Sequence, residues 1–291
     1  MESCVIVTGA NGGMGRAIAM AVARAGCPVV MACRDMVKGA AARADVIRDS
    51  GNQRVDVLPL DLASFASIHA FADAIAGRSV RVLVNNAGVM CRDFSLTAEG
   101  LEMTVGVNYV GTWLLTNLLL PFMGQEVESR IINTTSLTSR WGHVGEDFFT
   151  PDAETYRRFR AYPDSKLAVL MFTAELARRL KKRPITVNAV DPGVVNTGMI
   201  TMGQWFDPLT DILFRPFIKS PERGAVAAIT LATTERYSGV TGILFRGRRP
   251  VTIPPVASDA AACRALWERT AELVRVNVNA LLAKGILSGE R

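Results

Sequence analysis

Histidine is nearly absent from this chain: His69 and His143 are the only two in 291 residues. With so few histidines, neither a zinc site nor a histidine-based triad is expected. Cysteine is sparse as well. The five residues (Cys4, Cys27, Cys33, Cys91, Cys263) are odd in number and show no metal-ligand spacing. Cys4, Cys27 and Cys33 fall in or beside apolar strand-like runs, which suits buried, reduced thiols. No apolar run is long enough to span a bilayer. Met1-Glu2-Ser3-Cys4 enters the first strand at once, without room for a signal peptide, so the expectation is a soluble, cytoplasmic protein with no transmembrane anchor. Low-complexity segments, internal repeats and inter-domain linkers are also missing, and Gly 24 and Pro 13 are ordinary counts.

What remains is 49% hydrophobic and 21% charged, enough for one large α/β domain over residues 1–291. The formal charge of +6 comes from Arg157-Arg158-Phe159-Arg160, Arg178-Arg179-Leu180-Lys181-Lys182-Arg183 and Arg246-Gly247-Arg248-Arg249. No nucleic-acid motif accompanies them, so they read as solvated helix ends and loops, with no nucleic acid as partner.

Cys4-Val5-Ile6-Val7 is a short strand. Gly9-Ala10-Asn11-Gly12-Gly13-Met14-Gly15 follows it, then an alanine-rich helix ended by Gly26, then a second strand, Pro28 to Cys33. This βαβ unit places a glycine turn at a helix N-terminus, where backbone N–H groups can approach a pyrophosphate. The end of the second strand should choose the cofactor. NAD-binding versions carry an acid there for the ribose 2′-OH. Here Cys33 and Arg34 come first, and Asp35 only after them. A guanidinium at Arg34 suits a 2′-phosphate, with Arg16 a second candidate, so NADP(H) is expected over NAD(H). The alternative is that Arg34 is a surface arginine and Asp35 takes the ribose.

Further along, Val55–Leu62 reads as a strand with Asp61 at its carboxyl end, either accepting from an adenine amine or capping the next helix. A strand at Val80–Val84 feeds Asn85-Asn86-Ala87-Gly88, small and polar residues that permit close backbone approach or simply close a turn. Leu101 to Leu115 is a long apolar helix in which Asn108 is a polar exception, suited to a specific hydrogen-bonding role. A strand from Arg130 puts Ser136 at its carboxyl end. Another, Ile185–Val190, leads to Asp191-Pro192-Gly193-Val194-Val195-Asn196-Thr197. Alternating strands and helices argue for a Rossmann-type, doubly wound parallel sheet with helices on both faces. In Tyr162-Pro163-Asp164-Ser165-Lys166, the tyrosine and lysine share one helix face, one turn apart. An ammonium beside a phenol favours the phenolate and lowers its pKa toward a usable acid or base; alone, the pair also fits a solvated surface helix. Pro163 is tolerated in a first turn, which predicts that the helix begins about there.

Together these residues resemble the short-chain dehydrogenase/reductase superfamily over about residues 4–245. Thr8 to Gly15 correspond to its glycine motif and Asn85-Asn86-Ala87-Gly88 to its sheet motif. Asn108, Ser136, Tyr162 and Lys166 correspond to its catalytic tetrad, and Pro192-Gly193 with Thr197 to its nicotinamide-side turn. The retinol dehydrogenase-like branch is more similar still, through Cys33-Arg34-Asp35, the long segment between Ser136 and Tyr162, the helix start Ser220-Pro221-Glu222-Arg223-Gly224-Ala225 and the C-terminal stretch Ala265–Leu273. One departure is Gly12, where the family has Ser or Thr.

The resemblance implies that Tyr162 exchanges a proton with the substrate oxygen while Ser136 hydrogen-bonds that oxygen. Lys166 would bind the nicotinamide ribose and lower the tyrosine's pKa, and Asn108 would hold a water. Cofactor contacts are implied for Gly9, Asn11, Gly12, Gly13, Met14, Gly15, Asp61, Leu62, Asn86, Ala87, Gly88, Tyr162, Lys166, Pro192, Gly193, Val195 and Thr197, beside the Arg16 and Arg34 read above. It also implies a homodimer or homotetramer paired through the helices bearing Asn108 and Tyr162. A substrate lid is expected at about 197–220, rich in Met, Trp and Phe, and a C-terminal helix at about 259–284. A bulky apolar carbonyl or alcohol substrate follows from that lid. Two other functions stay open: reduction of a C=C bond on the same scaffold, and a cofactor-sensing regulator without turnover.

Overall fold

The computed structural model describes residues 3–124, 128–150, 153–154, 156–195 and 219–277. Its β-branched runs pair into one eight-stranded sheet. The strands are β1 (Ser3–Thr8), β2 (Val29–Cys33), β3 (Val55–Pro59), β4 (Ser79–Asn85), β5 (Ser129–Thr134), β6 (Ile185–Asp191), β7 (Ile243–Arg246) and β8 (Arg249–Thr252), ordered 3-2-1-4-5-6-7-8. Every pairing is parallel except the last, a β7–β8 hairpin turning at Gly247 with φ +59°. The Arg246–Arg249 cluster is that hairpin.

The sheet side chains alternate between two cores, as period-2 strands must. Val5, Val7, Val29, Met31, Val82 and Val84 pack with α1 (Gly13–Arg24), α2 (Met36–Ser50) and α7 (Pro221–Thr233). Ile6, Val30, Leu83, Ile131 and Val187 face α3 (Phe65–Ile75), α5 (Thr112–Leu119) and α6 (Arg158–Arg179). The chain order reverses between β1 and β4, so the carboxyl ends of these strands open the crevice in which such sheets bind ligands.

Two helices differ from expectation. The helix bearing Tyr162 begins at Arg158, not at Pro163. The proline removes one helical hydrogen bond, to the Phe159 carbonyl, but Phe159 is two-thirds exposed, so water can satisfy that oxygen. The C-terminal helix α9 (Ala260–Val274) stops well before 284, where Arg275 turns left-handed at φ +54°; residues beyond 277 lie outside those described.

Helix α9, with the short α8 (Pro255–Ser258), covers the outer side of α5 and α6. Trp267 sits 5.0 Å from Trp113 and 5.9 Å from Phe172 between ring centroids, with the Arg179 guanidinium 4.4 Å above it. As a result residues 163–177 of α6 are buried on every side. The helical face expected to pair two copies is covered within this chain. No helix among the described residues is long and apolar enough to cross a membrane.

Candidate active site

The glycine turn is shaped by contacts that admit no side chains. Gly9 has φ +65° and Gly13 φ +49°, and a Cβ on Gly15 would overlap the Gly9 carbonyl oxygen. Gly12, the N-cap of α1, offers no side-chain cap, and nothing lies within 4 Å of where its Cβ would stand. Thr8 joins this turn to the Asn86 loop: its hydroxyl accepts from the N–H groups of Asn86 (3.0 Å) and Ala87 (2.9 Å). Asn86 Nδ2 in turn donates to the Thr8 carbonyl at 2.9 Å.

A cavity of about 600 Å³ opens over the turn. It is lined by Gly9, Asn11, Gly12, Gly13, Met14, Arg34, Asp61, Leu62, Asn86, Ala87 and Gly88, with Thr8, Asp35, Lys38, Val89, Val107 and Pro221 among the others. Lys38 is absent from the residues read from the sequence, and Pro221 figures there only as part of a helix start, not as a cavity residue. Lys38 lies in the first turn of α2, a position visible in the sequence only once the helix start at Met36 is placed. Pro221 opens α7, whose Gly224 packs against Met14 and Val195.

Arg16 does not reach this cavity; its guanidinium pairs with Asp45 of α2 at 2.9 Å. Asp35 is occupied too. Its carboxylate caps α2 through the Lys38 N–H at 3.0 Å and pairs with Lys38 Nζ at 3.1 Å; these contacts hold it below the usual carboxylate range. Asp61 accepts from the Ala63 N–H at 2.9 Å, while the cap of α3 is Ser64, so Asp61 is not the helix cap.

The fit to a dinucleotide rests on three observations. The turn presents bare backbone at a helix N-terminus. Gly88 brings the chain so close that its Cβ would lie 3.2 Å from both Asn108 Oδ1 and Lys166 Nζ. Asn86 Oδ1 is buried at the same wall with no partner among the described residues.

Beyond Gly88 the chemistry-bearing side chains converge. Asn108 lies in a π-helical stretch, Gly106–Gly111, between α4 (Met103–Val105) and α5. Gly111 passes so near the Leu62 carbonyl that only glycine fits. Asn108 Oδ1 accepts from the Val89 N–H at 2.7 Å, and its Nδ2 donates to the Val89 carbonyl (2.9 Å) and Ser165 Oγ (3.0 Å). Ser136 begins a 3-10 turn, its hydroxyl accepting from the Thr138 N–H and Oγ1 at 3.3 and 3.1 Å.

Burial raises the pKa of Tyr162; the neighbouring Ser136 side chain works against that rise, and the Asp191 carboxylate adds to it. The phenol is therefore held above its ordinary value rather than below it. Lys166, 4% exposed, donates to the Thr134 carbonyl at 3.1 Å. Its ammonium stands over the Tyr162 ring, 5.6 Å from the centroid. Burial with so little compensation pulls it down to about 8.

At the end of β6, Asp191 accepts from the Gly193 N–H at 2.9 Å. Gly193 has φ +73°, and the Pro192 carbonyl accepts from Lys219 Nζ at 3.0 Å. Val195 pairs with Lys219. Thr197 and all but the last two residues of the expected lid lie outside the described residues.

A parallel sheet with a glycine turn at its switch point, and a Ser–Tyr–Lys cluster beyond the strand ends, has the architecture of a dinucleotide-dependent oxidoreductase. The comparisons place it further. The chain belongs to the short-chain dehydrogenase family, whose sequence profile, described as short chain dehydrogenase, matches residues 3–204. Retinol dehydrogenase 13 of Homo sapiens is 42% identical over 277 residues, covering 93% of this chain and 84% of that protein. Retinol dehydrogenase 11 of Homo sapiens is 37% identical over 283 residues, with 94% and 86% covered. Among solved structures, an uncharacterized protein from Mycobacterium paratuberculosis superposes with a TM-score of 0.77 at 32% identity, covering 95% of this chain and 94% of that one. The protein is accordingly an oxidoreductase of alcohols or carbonyls that uses a nicotinamide cofactor.

Proposed function

We propose that this protein reduces a carbonyl, or oxidises the corresponding alcohol, of a bulky apolar substrate with NADP(H). The observation that carries the reaction type is the convergence of Ser136 and Tyr162 beside buried Lys166. When bound, the nicotinamide supplies or accepts the hydride at its C4. Ser136 hydrogen-bonds the substrate oxygen. Tyr162, kept protonated by burial, gives that oxygen its proton in reduction and takes it back in oxidation. Lys166, still mostly charged at pH 7 with its pKa near 8, stabilises negative charge that develops beside the phenol. Asn108 holds Val89 and Ser165 in place, and so joins the cofactor loop to α6.

Arg34 and Lys38 support NADP(H). Both cations line the cavity near the end of β2, while Asp35, the one carboxylate placed for a ribose 2′-OH, is tied into the α2 cap. Two cations suit a 2′-phosphate, and the capped acid is not free to take a diol. The apolar substrate rests on the relatives, which are named for retinol, an apolar alcohol.

The experiment is NADPH and NADH oxidation by the purified protein against a panel of apolar ketones, aldehydes and enones. Turnover of a ketone or aldehyde with NADPH at least about tenfold better than with NADH is expected, a preference of about 1.4 kcal/mol. Preference for NADH would overturn the cofactor assignment, and turnover of enones alone would overturn the reaction type.

A further inference from the structure

Asp164 stands between Tyr162 and Lys166 in sequence, yet at 100° per residue it lies about 200° round α6 from each. It therefore points away from the reacting groups. It is nonetheless 8% exposed, and its Oδ1 accepts from the backbone N–H of His143 at 2.6 Å. Next to that bond, Gly142 lies against α6 so tightly that a Cβ would overlap the Pro163 carbonyl. At the other end of the same stretch, Thr135 Oγ1 donates to the Lys166 carbonyl at 2.9 Å.

Residues 135–143 thus form a strap fastened to the catalytic helix at both ends, with Ser136 inside it. Ser136 is also the cap of the strap's own 3-10 turn, Leu137–Trp141, so movement of the strap moves the hydroxyl. We propose that Asp164 is a positioning residue which, through His143 and Gly142, sets the Ser136 hydroxyl against that of Tyr162. This rests on the reading that Ser136 and Tyr162 act on the substrate oxygen.

The charged groups around Asp164 are few. On α6, Arg160 Nε lies 3.7 Å from Oδ2 and is shared with Asp147, 3.2 Å from its other arm. His143 and Asp147 complete the set. Tyr162 is faced by Ser136, by Asp191 from β6 and by Lys166 from its own helix. Because the nearby Ser136 side chain works to lower the tyrosine's pKa, moving it away should raise that pKa and make Tyr162 harder to ionise.

Asp164→Ala and Asp164→Asn separate positioning from bulk stability, since the amide keeps an acceptor oxygen at Oδ1. Three quantities are measured: the pH dependence of kcat for alcohol oxidation, the NADPH Kd, and the ionisation of Tyr162 by NMR with tyrosine labelled at Cζ. Only four tyrosines are present, and Tyr162→Phe assigns the signal.

The Ala variant is expected to lose about tenfold in kcat and to shift the Tyr162 ionisation up by about one pH unit, the size of one lost hydrogen bond to a charged group. Its NADPH Kd should be unchanged, and the Asn variant should restore both readings. An Ala variant with lower Tm but unaltered kcat and Tyr162 ionisation would overturn the proposal. A wild-type protein without turnover, whose Tyr162 still responds to Asp164→Ala but not to Asp164→Asn, would uphold the positioning and sink the proposed reaction.

Discussion

The two halves of the sheet offer their ligand groups in opposite ways. From β3 to β4, the cavity is built largely of backbone: consecutive glycines bare their N–H groups, and Thr8 ties the turn to the Asn86 loop. Beyond the cavity, toward β5 and β6, the groups are side chains from separate segments, each held by pins elsewhere. Asn108 is clamped to Val89, Ser136 rides on the strap, and Lys166 hangs from the Thr134 carbonyl. One half is a matter of local sequence and the other of tertiary placement. Burial divides them as well: the glycine turn is open at Gly12 and Gly13, whereas Lys166 is sealed.

The largest expected effect comes from breaking the sealed half. Lys166→Met should lower kcat by two orders of magnitude or more, as about 3 kcal/mol of transition-state stabilisation is lost. The same change should raise stability at pH 7 by on the order of 1–3 kcal/mol, because it removes a buried charge. The pH dependence identifies the cause. The folded pKa of about 8 lies below the ordinary 10.5, so the folded protein releases its proton before the unfolded one does. Wild type should gain stability from pH 8 to 10.5, and the advantage of the Met variant should shrink over that window. Thermal melts of both proteins from pH 7 to 10 check this.

A smaller effect belongs to the open half. Arg34→Ala and Lys38→Ala should each raise the KM for NADPH about tenfold while leaving that for NADH within about twofold, since each removes one cation from a 2′-phosphate. Equal losses with both cofactors would mean that these side chains meet the shared pyrophosphate instead. The smallest effect sharpens the comparison from the other side. Gly12→Ser supplies the missing cap of α1 into open space and should raise Tm by about 1 °C, a few tenths of a kcal/mol.

The same contrast explains what the sequence made legible. The glycine turn could be read because strand, turn and helix are contiguous, and the doubly wound sheet because strands and helices alternate. Arg16 misled because a helix-surface arginine beside the turn has another partner, Asp45 on α2, that only tertiary packing supplies. The Tyr162–Lys166 spacing was legible, but its electrostatics were not. Spacing predicts an ammonium beside a phenol, whereas the packed helix buries both groups, leaves the cation over the ring face and raises the phenol. Lys38 and Asp164 carry no functional signal in the sequence taken alone. The value of Lys38 depends on where α2 begins, and that of Asp164 on a strap that reaches it from 21 residues away. The cover of α9 over α5 and α6 was equally out of reach, because nothing in the pattern of Ala260–Val274 says which face Trp267 will enter.

The central claim is that cofactor binding and proton transfer reside in these separate halves, and Tyr162→Phe tests it most directly. NADPH binding, followed by nucleotide fluorescence, and turnover of a ketone or aldehyde substrate would be measured on the same preparation. The account predicts a Kd within about twofold of wild type with turnover down by about a thousandfold, the contribution of a general acid. Loss of NADPH binding, or turnover retained above a tenth of wild type, would contradict it.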